Sequence, residues 1–237
     1  MDVFIYKTDA MRKILNLVSL GYVRYTYGEI QPKKLQGFIA KSEDRYDINR
    51  TTQQRYRAKA KGEANSQLVL WLSGENIVSW FLLVTPGEGV VEDVEDVEDL
   101  RDTRQKHQRL EVTGYKVSQM SRKDRAPSWT WRMTVDNRKA WQERLRTAVI
   151  AKNSELVRQA MFSLRRTPAF AESRREAFKL FNDAKKHWKK IHGQEWPFED
   201  IFIGWFGKFE KGKVIDSAKI TSKASAVKAA KAASRPS

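Results

Sequence analysis

Gln67-Leu-Val-Leu-Trp-Leu-Ser73, Gly74-Glu-Asn76 and Ile77-Val-Ser-Trp-Phe-Leu-Leu-Val-Thr85 read as two strands around a tight turn, closed by Pro86-Gly87. Downstream, a second hairpin pairs Leu110-Glu-Val-Thr-Gly-Tyr-Lys-Val-Ser118 with Ser128-Trp-Thr-Trp-Arg-Met-Thr-Val135, and its loop carries Arg122, Lys123 and Arg125 ahead of Pro127. Upstream, Tyr22-Val-Arg-Tyr-Thr-Tyr-Gly-Glu-Ile30 alternates β-formers with polar residues and reads as a further strand. Together they predict a mainly antiparallel sheet of about five strands.

Helical spacing surrounds these strands. Met11, Ile14, Leu15, Val18 and Leu20 share a face over residues 10–20, and Gly21 supplies the stop. Pro32 opens a helix over 33–46 with Leu35, Phe38 and Ile39 inward. From Asp136, read as an N-cap, Trp141, Leu145 and Val149 mark one helical face, and Leu156, Val157, Ala160, Met161 and Leu164 continue the pattern until Pro168 ends it. A third helix of this region, from Glu172 to Ile191, sets Phe178, Phe181, Trp188 and Ile191 against a largely lysine and arginine surface. The aromatic segment Trp196 to Phe209 reads as ordered, and beyond Lys211 the Lys, Ala and Ser composition predicts a disordered basic tail. The fold class is therefore α+β: a sheet domain over 1–135, a basic helical region over 136–210 and a tail over 211–237.

Charge points to the partner. The chain carries 45 Lys plus Arg against 29 Asp plus Glu, a formal net charge of +16 over 237 residues, and eight tryptophans accompany it. Cationic and flat aromatic surface in one chain suits nucleic acid. Arg45 to Lys61 is the densest stretch of the first half, with Arg50, Arg55, Arg57, Lys59 and Lys61 interleaved with Tyr46 and Tyr56. Guanidinium forks suit phosphates and tyrosines suit bases, although a solvated helix or loop explains the same run. The expected nucleic-acid-binding residues are Arg50, Arg55, Tyr56, Arg57, Lys59 and Lys61, the hairpin residues Arg122, Lys123 and Arg125, and Arg165, Arg166, Arg174 and Arg175. Trp129 and Trp131 share a strand face that is either a stacking platform or core.

Other chemistries find little support. The chain has no cysteine, which removes disulfides, zinc thiolates and thiol nucleophiles and fits a reducing, cytoplasmic location. It has no phosphate-cradling Gly-rich loop, and Gly87-Glu-Gly89 reads as a plain turn. His187 and His192 are five apart, off the three or four that a helical metal pair needs, and His107 stands alone, so neither metal nor cofactor is expected. Tyr25 and Tyr27 share a strand face but lack accompanying metal ligands. The acidic repeat Val91 to Leu100 holds six carboxylates without an EF-hand's glycine or spacing, and reads as a solvated helix start or loop. No secretion signal opens the chain, and its longest apolar run, Ile77 to Thr85, falls far short of the roughly 20 residues a bilayer helix requires.

Gly21-Tyr-Val-Arg-Tyr-Thr-Tyr-Gly-Glu29, Gln54-Arg-Tyr-Arg-Ala-Lys-Ala-Lys-Gly-Glu-Ala64, Leu82-Leu-Val-Thr-Pro-Gly87 and Leu164-Arg-Arg-Thr-Pro-Ala-Phe-Ala-Glu-Ser-Arg-Arg175 resemble segments of poorly characterised proteins carried by bacterial plasmids and integrative conjugative elements, over about residues 20–190. The resemblance implies a mobile-element setting and carries no catalytic residue across. The expected function is nucleic-acid binding, DNA ahead of RNA, through basic clusters and aromatic stacking. Two other readings stay open: a metal-independent ribonuclease or other nucleic-acid-processing enzyme, and a basic scaffold that meets an acidic protein.

Overall fold

The computed structural model describes residues 1–89, 100–151, 153–204 and 212–222, without the side chains of Arg122, Arg125, Thr221 and Ser222. The acidic repeat and the chain beyond 222 lie outside the described residues. The fold is α+β, with seven helices and nine strands among the described residues. It divides into two units: residues 1–110 with the chain from Phe209 onward, and Glu111–Lys208.

The first unit holds a six-stranded mixed sheet in the order β5 (Arg101–Asp102), β2 (Arg24–Ile30), β4 (Val78–Val84), β3 (Ser66–Leu72), β1 (Asp2–Phe4), β9 (Val214–Asp216). Its centre is the hairpin of β3 (Ser66–Leu72) and β4 (Val78–Val84), paired from Ser66 with Val84 to Leu72 with Val78. β2 (Arg24–Ile30) lies antiparallel to β4 and is flanked by the short β5 (Arg101–Asp102). β1 (Asp2–Phe4) runs parallel to β3, and β9 (Val214–Asp216) closes that edge antiparallel to β1.

Both sheet faces are covered, which is why β3 and β4 read as nearly continuous apolar runs. On one face, Val3, Leu70, Leu72 and Val78 pack with Leu35 and Ile39 of α2 (Leu35–Tyr46) and Ile220 of α7 (Ser217–Ser222). Trp80 lies on this face, 5.0 Å from Phe38 ring to ring, and crosses Gly28 on the neighbouring strand. α1 (Lys7–Ser19) packs against β1, β3 and β4 through its buried stripe Ala10, Met11, Ile14, Leu17 and Val18. Gly21, at φ +100°, then lets the chain turn back into β2.

The basic stretch after Arg45 contains α3 (Thr52–Ala60), opened by a capping box in which Thr51 and Gln54 satisfy each other's backbone N–H groups. The expected tail is corrected over residues 214–222 only. Residues 214–222 form β9 and α7, because Ile220, 1 % exposed, anchors them in the core and Ser217 N–H donates to the Met1 carbonyl. A single apolar anchor such as Ile220 among lysines hardly moves the composition, yet it is enough to dock a short segment.

In the second unit, β6 (Glu111–Val112), β7 (Tyr115–Arg122) and β8 (Arg125–Met133) form an antiparallel sheet. The run expected as one strand from Leu110 to Ser118 is broken at Thr113-Gly114, both at positive φ, which folds β6 back on β7. The second hairpin thus builds its own sheet and groups with the helices that follow. These are α4 (Val135–Ile150), α5 (Ser154–Arg165) and α6 (Ala171–His192). Thr134, rather than Asp136, caps α4 by accepting the Asn137 N–H at 3.2 Å, and Asp136 sits in the first turn, where its charge opposes the helix dipole. α6 packs on β8, with Trp131, Met133, Ala177 and Leu180 buried and Trp131 6.3 Å from Phe170. At its C-terminal end, Trp188 contacts Trp196 and Phe198 edge to face.

Candidate nucleic-acid interface

In the first unit, the expected cations divide into structural and solvent-facing groups. Arg50 bonds to Asp47 at 2.9 Å and to the Ala64 carbonyl at 3.1 Å, and lies 3.7 Å from Glu63, so it ties the start of α3 to the entry of β3. Arg55 donates to the Arg50 carbonyl, and Asn65 Nδ2 donates to the Arg55 carbonyl at 3.1 Å. On the outer surface of α3, Tyr56 is 75 % exposed and Arg57 and Lys59 are exposed; Lys61 follows, 3.9 Å from Glu63. Burial holds the Lys13 amine below its ordinary pKa, and the neighbouring Arg55 guanidinium lowers it further against the pull of Asp2. Tyr22 lies in the same neighbourhood; burial raises its phenol, opposed by Arg55 and by a hydrogen bond with Gln67.

Among the strand tyrosines and tryptophans, Tyr25 and Trp131 are core, whereas Tyr27 is exposed. Tyr25 is 2 % exposed and donates to the Gln108 carbonyl at 3.0 Å, while Tyr27 accepts from Arg101 at 3.2 Å. Trp131 is fully buried and Trp129 partly exposed, so the face they share is core at Trp131. No group of three or more His, Asp or Glu side chains among the described residues is placed to hold a metal ion. His192 Nε2 sits 3.0 Å from the Val149 carbonyl and stacks on Trp188 at 3.8 Å, a packing role.

The second unit contains a cleft of about 370 Å³ between α5 and the segment Pro197-Phe198-Glu199. Arg158, Phe162 and Arg165 line it from the helix, since positions three and four apart share a face. Phe162 is 58 % exposed at the wall of this cleft. The Arg166 guanidinium lies 4.8 Å above its ring, and Arg158 lies 5.9 Å above Phe198. Arg165 lies 3.5 Å from Glu199 and donates to the Asp200 carbonyl at 3.2 Å. A smaller cleft, about 200 Å³, has Leu145, Val149 and Leu180 in its walls with Arg146, Asp183 and His187.

The remaining expected residues are dispersed. Arg174 Nε donates to the Ile203 carbonyl at 2.6 Å and its guanidinium covers Phe178, whereas Arg175 bonds to Glu172 at 2.7 Å. Lys123 is exposed at the tip of the β7–β8 hairpin, where the side chains of Arg122 and Arg125 lie outside the described residues. Arg165 and Arg166 are thus brought together with Arg158 and Phe162, which the sequence reading passed over. Their signal is the i, i+4, i+8 spacing of Arg158, Phe162 and Arg166, the first two on the solvent side of an amphipathic helix and the third its C-cap. No helix among the described residues is long and apolar enough to cross a membrane. Comparisons with family models, with curated proteins and with solved structures find no match to this chain.

Proposed function

We propose that the protein binds nucleic acid, with DNA the first partner to test. The observation that carries this reading is the α5 cleft, where Arg158 and Arg165 line the wall beside the exposed Phe162 and Arg166 lies 4.8 Å above the Phe162 ring. Guanidinium groups supply charge-assisted bonds to phosphate, and an open aromatic face supplies stacking. The exposed row of Tyr56, Arg57 and Lys59 on α3 repeats the combination in the first unit, and the net charge of +16 favours a polyanion at long range. The resemblance to plasmid and conjugative-element proteins adds a mobile-element setting to the proposal.

The test is anisotropy of labelled duplex and single-stranded oligonucleotides across a salt series. Affinity should persist near 150 mM salt, and log affinity should fall with log salt by about 0.9 per phosphate neutralised on duplex and about 0.7 on single strands. Absence of binding, or binding indifferent to salt, rejects the proposal. Incubation of the same oligonucleotides in EDTA, followed on a denaturing gel, separates a binder from a metal-independent nuclease.

A further inference from the structure

The geometry of the α5 cleft points to a narrower ligand, and we infer that it takes an unpaired nucleobase of a single strand, stacked on Phe162. The inference rests on the nucleic-acid reading above. Within a duplex each base lies face to face with its neighbours, so an aromatic side chain gains a stacking surface only from a base that has left the stack. Phe162 presents such a surface: its ring is 58 % exposed, on a helix rather than a mobile tip, and at the wall of a concavity rather than on a flat face.

The surroundings suit the rest of a nucleotide. Arg158 and Arg165 stand one turn before and one turn after Phe162, so a strand running along α5 with one base in the cleft passes its flanking phosphates near guanidinium groups. Arg166, held over Phe162 at 4.8 Å, stiffens the ring and lends a planar cation to the stack. In the free protein the Arg165 nitrogen that donates to the Asp200 carbonyl at 3.2 Å also lies 3.5 Å from Glu199, which is 90 % exposed. A phosphate that replaces this pair exchanges an exposed salt bridge of small value for a bidentate contact.

Short labelled oligothymidylate, oligouridylate and a duplex provide the test, the first two reporting whether the sugar matters. Wild-type protein should bind the single strands more tightly than the duplex. Phe162→Ala should weaken single-strand binding about tenfold, within the range measured for loss of one stacked base, and leave duplex binding unchanged. Phe162→Trp should retain single-strand affinity, and Phe162→Leu, which keeps apolar bulk without a π face, should behave as Ala. Circular dichroism melts verify that each variant folds, as the exposure of Phe162 leads one to expect. Equal losses on single strand and duplex, or full affinity in the Leu variant, overturn the stacking inference while nucleic-acid binding stands. A wild-type protein that binds none of the three probes overturns both.

Discussion

The Glu176 carboxylate, on α6 and only 7 % exposed, accepts a 2.6 Å hydrogen bond from the backbone N–H of Met133 at the end of β8, while its other oxygen faces Arg132 at 3.3 Å. One side chain thus satisfies a sheet N–H and holds the helix in register on the strand. Glu176→Ala should cost about 2 kcal/mol, since a buried N–H loses a charged acceptor, and Glu176→Gln, which retains an oxygen at that point, should cost less. Urea denaturation of the two variants checks the order, and equal losses would mean that the charge rather than the acceptor matters.

Gly28 exists for Trp80. A β-carbon at position 28 would stand 2.7 Å from Trp80 Cζ2, and the indole it would displace also packs on Phe38 at 5.0 Å. Gly28→Ala should destabilise by about 1–3 kcal/mol through overpacking. Adding Trp80→Leu should recover part of that loss, and a double variant whose cost equals the sum of the single ones would show that the two sites do not interact.

Ile220 makes the basic C-terminal segment part of the first core. Ile220→Ala should cost about 3 kcal/mol, the range for emptying a buried aliphatic site, and truncation after residue 211 should cost more because it also removes β9. Thermal melts distinguish this from an undocked tail, for which both changes would be silent.

Asp102 should register in acid. Its carboxyl is pushed up by burial but pulled further down by Arg104, whose Nε bonds to both oxygens at 3.0 Å and whose backbone N–H donates to Oδ1 at 2.9 Å. The folded pKa lies below the unfolded one, so its contribution to stability is present above the ordinary aspartate range, about pH 4, and disappears as pH falls through the folded pKa. The stability gap between wild type and Asp102→Asn should therefore be full at neutral pH and close in acid. A gap that widens below about pH 4 would reverse the sign.

Around α3, the solvent-facing cations should affect binding and the half-buried Arg50, just before the helix, the fold. Arg57→Ala with Lys59→Ala should leave the melting temperature unchanged and reduce the salt slope of duplex binding by about two. Arg50→Ala should lower the melting temperature, because Asp47, Glu63 and the Ala64 carbonyl lose their shared partner. The opposite pattern would exchange the two roles.

Much of the fold can be read along the chain, because period and punctuation are local. The β3–β4 hairpin, the stripe Met11, Ile14 and Val18, the Leu35–Ile39 face and the long helix through Phe181 and Trp188 all follow from which side chains recur together. Composition alone likewise sets the excess of cations and the lack of thiol chemistry. Three-residue strands such as β1 and β9 are too short to show a period, so their pairing, and the anchoring of Ile220, were decided by the tertiary structure alone. The same holds for the arginines. Whether a guanidinium is engaged, as in Arg50 and Arg174, or borders an open ring, as in Arg166, depends on carboxylates, carbonyls and aromatics that folding brings within a few ångströms. Composition counts charges, whereas electrostatics and hydrogen bonding act over distances, and distances between residues far apart in sequence exist only once the chain has folded.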